Sequence, residues 1–135
     1  MSSNKYKVLV VQGLHEQGLE MLKQRSDIEF NVLLSDDENE ILEAAKDVNG
    51  ITVRTAQITE KIINSSKNLQ VISRHGVGYD SINLKSLNNK KIPLTIAAHS
   101  NMISVSEQAM FFLLALNKNV FYYDDFTRKG DWTNR

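Results

Sequence analysis

Apolar and polar positions follow two rhythms along most of the chain. Residues 7–11, KVLVV, form a short β-rich run that ends at Gln12-Gly13, the pattern of a buried strand. HEQGLEMLKQR then sets Leu19 and Leu22, with Leu14 and Met21, on one helical side. Across residues 28–34 the apolar side chains Ile28, Phe30, Val32 and Leu34 return at every second position and predict a strand. Asp37 and Glu40 have capping-box spacing at the start of the next helix, and the acids there suit the positive helix end. Gly50 is expected to close that helix and ITV to open the third strand. A helix capped by Thr59 follows in TEKIINSS, then a strand in LQVIS, a short helix in NLKSLNNK and a strand in IPLTIA. Pro93, the only proline, stands at the entry to that last strand, where a missing N–H is tolerated. Strands alternating with helices predict an α/β fold: a doubly wound, parallel, five-stranded sheet with right-handed crossovers.

The pattern changes near residue 100. Seven of the ten aromatic residues lie at Phe111 or beyond, and SNMISVSEQAMFFLLALNKNVFYYDDFTRKGDW reads as one long helix. Ser104 and Glu107 have capping-box spacing and are expected to start it. Its apolar surface exceeds what one side of a small sheet can cover, so a second body, another domain or another subunit, is expected against it.

Composition narrows the function. Sixteen basic and sixteen acidic residues cancel, which argues against nucleic acid or an anionic membrane surface as partner. The longest apolar run, AMFFLLAL, is far below the ~20 residues that span a bilayer. The first residues do not have the form of a signal peptide. With no cysteine there is no disulfide or thiolate chemistry, which suits a cytoplasmic protein. His15, His75 and His99 are scattered without ligand spacing, so no metal site is expected.

Ligands of open parallel sheets bind beyond the carboxyl ends of the strands. The residues placed there are Gln12, Gly13 and Leu14; Arg54 and Thr55; Arg74, His75, Gly76, Val77 and Gly78; and His99, Ser100 and Asn101. The set is rich in donors and poor in carboxylates. Arginine forks and glycine-exposed amides favour a small anion. Plainer readings stand beside this one. Gly-x-Gly after a strand is a common turn, Arg54 suits a solvated surface, and Glu107 suits a cap better than an acid catalyst. His75 reads as either a ligand contact or a hydrogen-bonded structural residue, and Tyr122 and Tyr123 as interface packing. A dinucleotide fingerprint is not met. Ser81 stands where its third glycine belongs, and no acid follows on the next strand. A phosphoacceptor receiver is not met either, because Gln12 and Arg54 occupy the regions where its acids belong.

Arg74-His75-Gly76-Val77-Gly78-Tyr79-Asp80, Lys91-Ile92-Pro93 before a strand, Asn101, Ser104-Val105-Ser106-Glu107 opening an apolar helix, and Gly130-Asp131-Trp132 together resemble the D-isomer-specific 2-hydroxyacid dehydrogenases, phosphoglycerate-type members in particular. The resemblance implies a flavodoxin-like substrate domain at residues 1–100 and an interdomain and dimer helix at 101–135. It further implies a separate Rossmann domain that holds NAD or NADP and the catalytic residues, so no catalytic residue is expected in this chain, which should be inactive alone. Residues implied to contact a small anionic 2-hydroxy or 2-oxo acid are Arg54, Arg74, Gly76, Val77, Gly78 and Asn101. Candidate substrates are 3-phosphoglycerate and hydroxypyruvate, and the expected assembly is a homodimer. The family's usual Asn-Ala-Pro-Gly stretch is replaced by IAAHSN, and Gln108 stands where histidine is frequent. The alternative reading is a stand-alone ligand-binding or regulatory module of the same fold.

Overall fold

A computed structural model describes residues 5–130. The chain divides into two compact units between Ala98 and His99. The first unit alternates β1 (Tyr6–Val11), α1 (Glu16–Lys23), β2 (Ile28–Leu33), α2 (Glu38–Ala44), β3 (Gly50–Val53), α3 (Glu60–Ser65), β4 (Val71–Arg74), α4 (Leu84–Lys90) and β5 (Leu94–Ile96). All strand pairs are parallel, in the order β2-β1-β3-β4-β5. This is the flavodoxin-like order, and its direction reverses between β1 and β3.

Register explains the core. Leu9, Ile51, Ile72 and Leu94 stand side by side across four strands, as do Val11 and Val53 one pleat further on. This face meets Ile41 of α2, Ile62 and Ile63 of α3 and Leu87 of α4, all fully or almost fully buried. Each such side chain contributes about 1.5–3 kcal/mol by leaving water. Ser66 ties two of these helices together, its hydroxyl donating to the carbonyls of Ala45 (2.7 Å) and Ile62 (3.1 Å). The opposite face carries Val8, Gly50 and Val71, then Val10, Thr52 and Ser73. Of the helices in this unit, α1 lies on that side, and an apolar hollow of about 350 Å³ lies between Leu14, Gly18, Leu22, Val8, Val71 and Ser73.

Several local readings hold. The Asp37 carboxylate caps α2 by accepting from the amides of Asn39 (2.9 Å) and Glu40 (3.1 Å), and Thr59 caps α3. Others are corrected. Gly50 does not close α2: that helix ends at Ala44 and Gly50 is the first residue of β3. Leu34 falls outside β2 and is exposed.

In the second unit the long helix is present as α5 (Met102–Asn117), with Asn101 at its N-cap. Ser104 therefore lies inside the helix rather than capping it. The segment beyond is a separate helix, α6 (Val120–Arg128). The break is at Asn119, whose φ of 47° is left-handed, a conformation asparagine tolerates better than most residues. Ala115 is the one buried residue of α5; Phe111, Phe112, Leu113, Leu114 and Leu116 are exposed. Tyr122 stacks on Phe126 in α6 with ring centroids 6.0 Å apart. Asp131 and Trp132 lie outside the described residues.

Candidate functional site

The carboxyl edge of the sheet is built around a strained corner. Gln12 and Gly13, directly after β1, both have positive φ (66° and 77°). Glycine adopts this freely, whereas glutamine does so at a cost that its surroundings must offset. The offset is visible: the Gln12 side-chain carbonyl accepts from the backbone amides of Thr55 and Ala56, both at 2.7 Å. Its amide nitrogen donates to the Thr55 hydroxyl at 3.1 Å. Gln12 thus clamps the end of β1 to the loop that follows β3, across the point where the strand order reverses. Its place in sequence made it a candidate ligand contact; its carbonyl oxygen is instead committed to structure.

Arg54 follows β3 directly, and the ladder extends one step past β4 through the His75 amide, which donates to the Val53 carbonyl at 3.1 Å. Arg54 and His75 therefore stand on adjacent strands' ends. Together with Gln12, Gly13, Leu14 and His15 they line a depression of about 360 Å³. Arg74, the last residue of β4, lays its guanidinium over Gly76, in the space a Cβ there would need. A Cβ there would displace only the far end of this flexible side chain. The Gly76 amide donates to the Arg74 carbonyl at 3.0 Å, and the Gly76 carbonyl accepts from Ala97 at 3.1 Å. The far end of the loop is held by the pairing of the buried Ile58 and Ile82. Between these anchors the Val77 and Gly78 amides donate no hydrogen bond among the described residues. Of the three amides expected to hold a carboxylate, that of Gly76 is engaged within the chain and those of Val77 and Gly78 are not.

The electrostatics are one-sided. Among the described residues neither Arg54 nor Arg74 has a carboxylate partner. The Arg74 Nε and the His75 Nε2 are buried with no hydrogen-bond partner among those residues, a costly arrangement for polar groups. Burial first, then the charge of Arg74, then that of Arg54 hold the His75 imidazole below its ordinary value of 6.5. His75 is therefore not the hydrogen-bonded structural histidine that one reading of the sequence favoured. Asn101 belongs to the other unit, where its side chain makes no capping bond.

Residues 8–129 match the model of the D-isomer specific 2-hydroxyacid dehydrogenase catalytic domain. The chain belongs to this family. It is 31% identical over 130 residues to the D-3-phosphoglycerate dehydrogenase of Methanocaldococcus jannaschii, covering 96% of this chain and 24% of that protein. It is 28% identical to the glyoxylate reductase of Pyrococcus furiosus, covering 97% and 40%. The crystal structure of the PH0520 protein from Pyrococcus horikoshii superposes with a TM-score of 0.82 at 28% identity, over 97% of this chain and 39% of that one. The chain thus spans about a quarter to two fifths of the length of these relatives.

The residues after β4 do not form a dinucleotide cradle. The loop does not turn straight into a helix, since α4 begins only at Leu84. The room above Gly76 is taken by Arg74, and the Gly76 amide is already bonded. Among the described residues no helix is long and apolar enough to cross a membrane.

Proposed function

We propose that the first unit is the substrate-binding part of a nicotinamide-dependent 2-hydroxyacid dehydrogenase, and that it holds the anionic end of a D-2-hydroxy or 2-oxo acid. The supporting observation is that Arg54 and His75 line one depression by the sheet's switch point, with the Arg74 charge also acting on His75 and no acid paired with either arginine among the described residues; in the loop that follows, the amides of Val77 and Gly78 are unbonded. Arg54 supplies a planar fork and the two amides a pair of donors, which suit a carboxylate or phosphate. Fixing that end places the reacting carbon, and such placement lowers a barrier by on the order of several kcal/mol. Phosphorylated acids such as 3-phosphoglycerate suit the cation cluster, with hydroxypyruvate as the smaller alternative.

In this reading residues 1–100 form the substrate domain. The segment that carries α5 and α6 is the interdomain and dimer segment, with its aromatic end at a homodimer contact. NAD or NADP and the catalytic groups belong to a further domain. The 135-residue protein is therefore expected to bind substrate anions and to oxidise no NADH or NADPH with hydroxypyruvate or glyoxylate. Turnover by protein free of contaminating dehydrogenase would overturn this assignment.

A further inference from the structure

We propose that His75 is the proton-linked member of the anion site: a dianion that settles beside Arg54 and Arg74 draws a proton from solvent onto its imidazole. The inference rests on the reading of this depression as an anion site and adds a selectivity that the arginines alone do not provide.

The geometry points to it in three ways. His75 stands at the join of two hollows, one polar and bordered by Gln12, His15 and Arg54, the other apolar and bordered by Val8, Leu14 and Leu22. Its Nε2 is buried with no hydrogen-bond partner among the described residues. Its charged neighbours are of one sign. Arg74 precedes it in the chain, Arg54 lies at the end of the adjacent strand, and His15 shares the depression from the β1–α1 segment. The nearby acid of its own loop, Asp80, turns its carboxylate toward Gly78. No carboxylate contributes to holding the imidazole where it is; burial and the two arginines do.

A bound dianion changes this balance. It offsets both guanidinium charges and leaves the imidazolium attracted rather than repelled. Binding and protonation are then linked and reciprocal: the anion raises the proton affinity of His75, and protonation of His75 raises the affinity for the anion. A monoanion supplies half the charge and gains less. The site should therefore favour doubly charged acids increasingly as pH falls.

Sulfate is a suitable probe because it does not titrate in this range. The imidazole signals of the three histidines of the 135-residue chain can be followed by NMR against pH, with and without sulfate. The expected result is a clear upward shift of the His75 titration on sulfate addition. Sulfate affinity should rise about 3- to 10-fold per pH unit on lowering pH from about 7.5 to 5.5, the upper limit being one proton per anion. Lactate should show a shallower dependence. His75→Gln should flatten the sulfate dependence, and the wild-type titration carries the test alone should that variant not fold. Sulfate binding that is independent of pH, or an unmoved His75 titration, would overturn the proposal and leave the anion site intact. Absence of sulfate binding at every pH would overturn both.

Discussion

The two ends of the sheet treat charge in opposite ways. At the amino end Lys7 and Arg25 each have a carboxylate. Lys7 pairs with Asp47, which also accepts from Asn68, and Arg25 holds Asp27 through two parallel bonds of 2.8 and 2.7 Å. Hydrogen bonding and opposite charge raise the proton affinity of Lys7 and Arg25 and lower that of Asp47 and Asp27. At the carboxyl end both Arg54 and Arg74 act on His75, and neither arginine pairs with an acid among the described residues. Both ends are loops on the same scaffold, so composition does not explain the difference. Cations with partners have their interactions completed within the chain. Cations gathered without partners repel one another, and a ligand of opposite sign relieves that repulsion.

The largest expected effect breaks the unpaired end directly. Arg54→Ala should weaken sulfate binding by about 10- to 100-fold, the loss of charge-assisted bonds worth roughly 1.5–3 kcal/mol. The melting temperature should not fall, since a repulsive charge is removed. Calorimetric titration with parallel thermal unfolding checks both; a fall in stability with unchanged affinity would mean that Arg54 is structural.

Gln12→Ala should do the reverse. It strands two loop amides, costing about 1–3 kcal/mol of stability by denaturant unfolding, while affinity suffers only through disorder of the depression. Equal stability of the variant would show that the clamp is dispensable.

A smaller effect concerns pH. The imidazole of His75 has a lowered pKa in the folded state, so the unfolded chain binds more protons below 6.5. Stability should therefore decline as pH falls from 6.5 toward the folded-state value. His75→Gln should reduce that decline, as read from unfolding midpoints across the interval.

The smallest effect belongs to the paired end. Asp47→Asn removes an exposed ion pair, and at physiological salt the midpoint should not move measurably. The stabilisation that Asp47 does provide is present above the ordinary carboxylate value of 3.8 and lost as pH falls through its lowered one.

Most of the scaffold was legible because buried parallel strands write themselves as short apolar runs, as in residues 7–11 and LQVIS. The caps at Asp37 and Thr59 were legible because they act within one turn of chain. Local patterns also misled. Ser104 and Glu107 have the spacing of a capping box but lie within α5, where Asn101 already stands at the start. The break at Asn119 depends on one left-handed residue in an otherwise helical stretch. At the candidate site the residue set at the sheet edge was readable from strand ends alone. The roles were not. The clamp made by Gln12 needs a residue 43 positions away, and the engagement of the Gly76 amide depends on a turn that Gly-x-Gly does not specify. The same holds for the two faces of the sheet. Leu9 and Val10 are adjacent apolar residues, yet one joins a core built with three helices and the other faces the side of α1.

The bareness of α5 has a consequence for lifetime in a cell. A 16-residue helix with Ala115 as its buried residue and a run of exposed Phe and Leu offers chaperones and proteases a recognition surface even when the sheet is fully folded. The abundance of a chain of this length would then be governed less by the free energy of its sheet than by how soon a companion surface shields that helix from quality control.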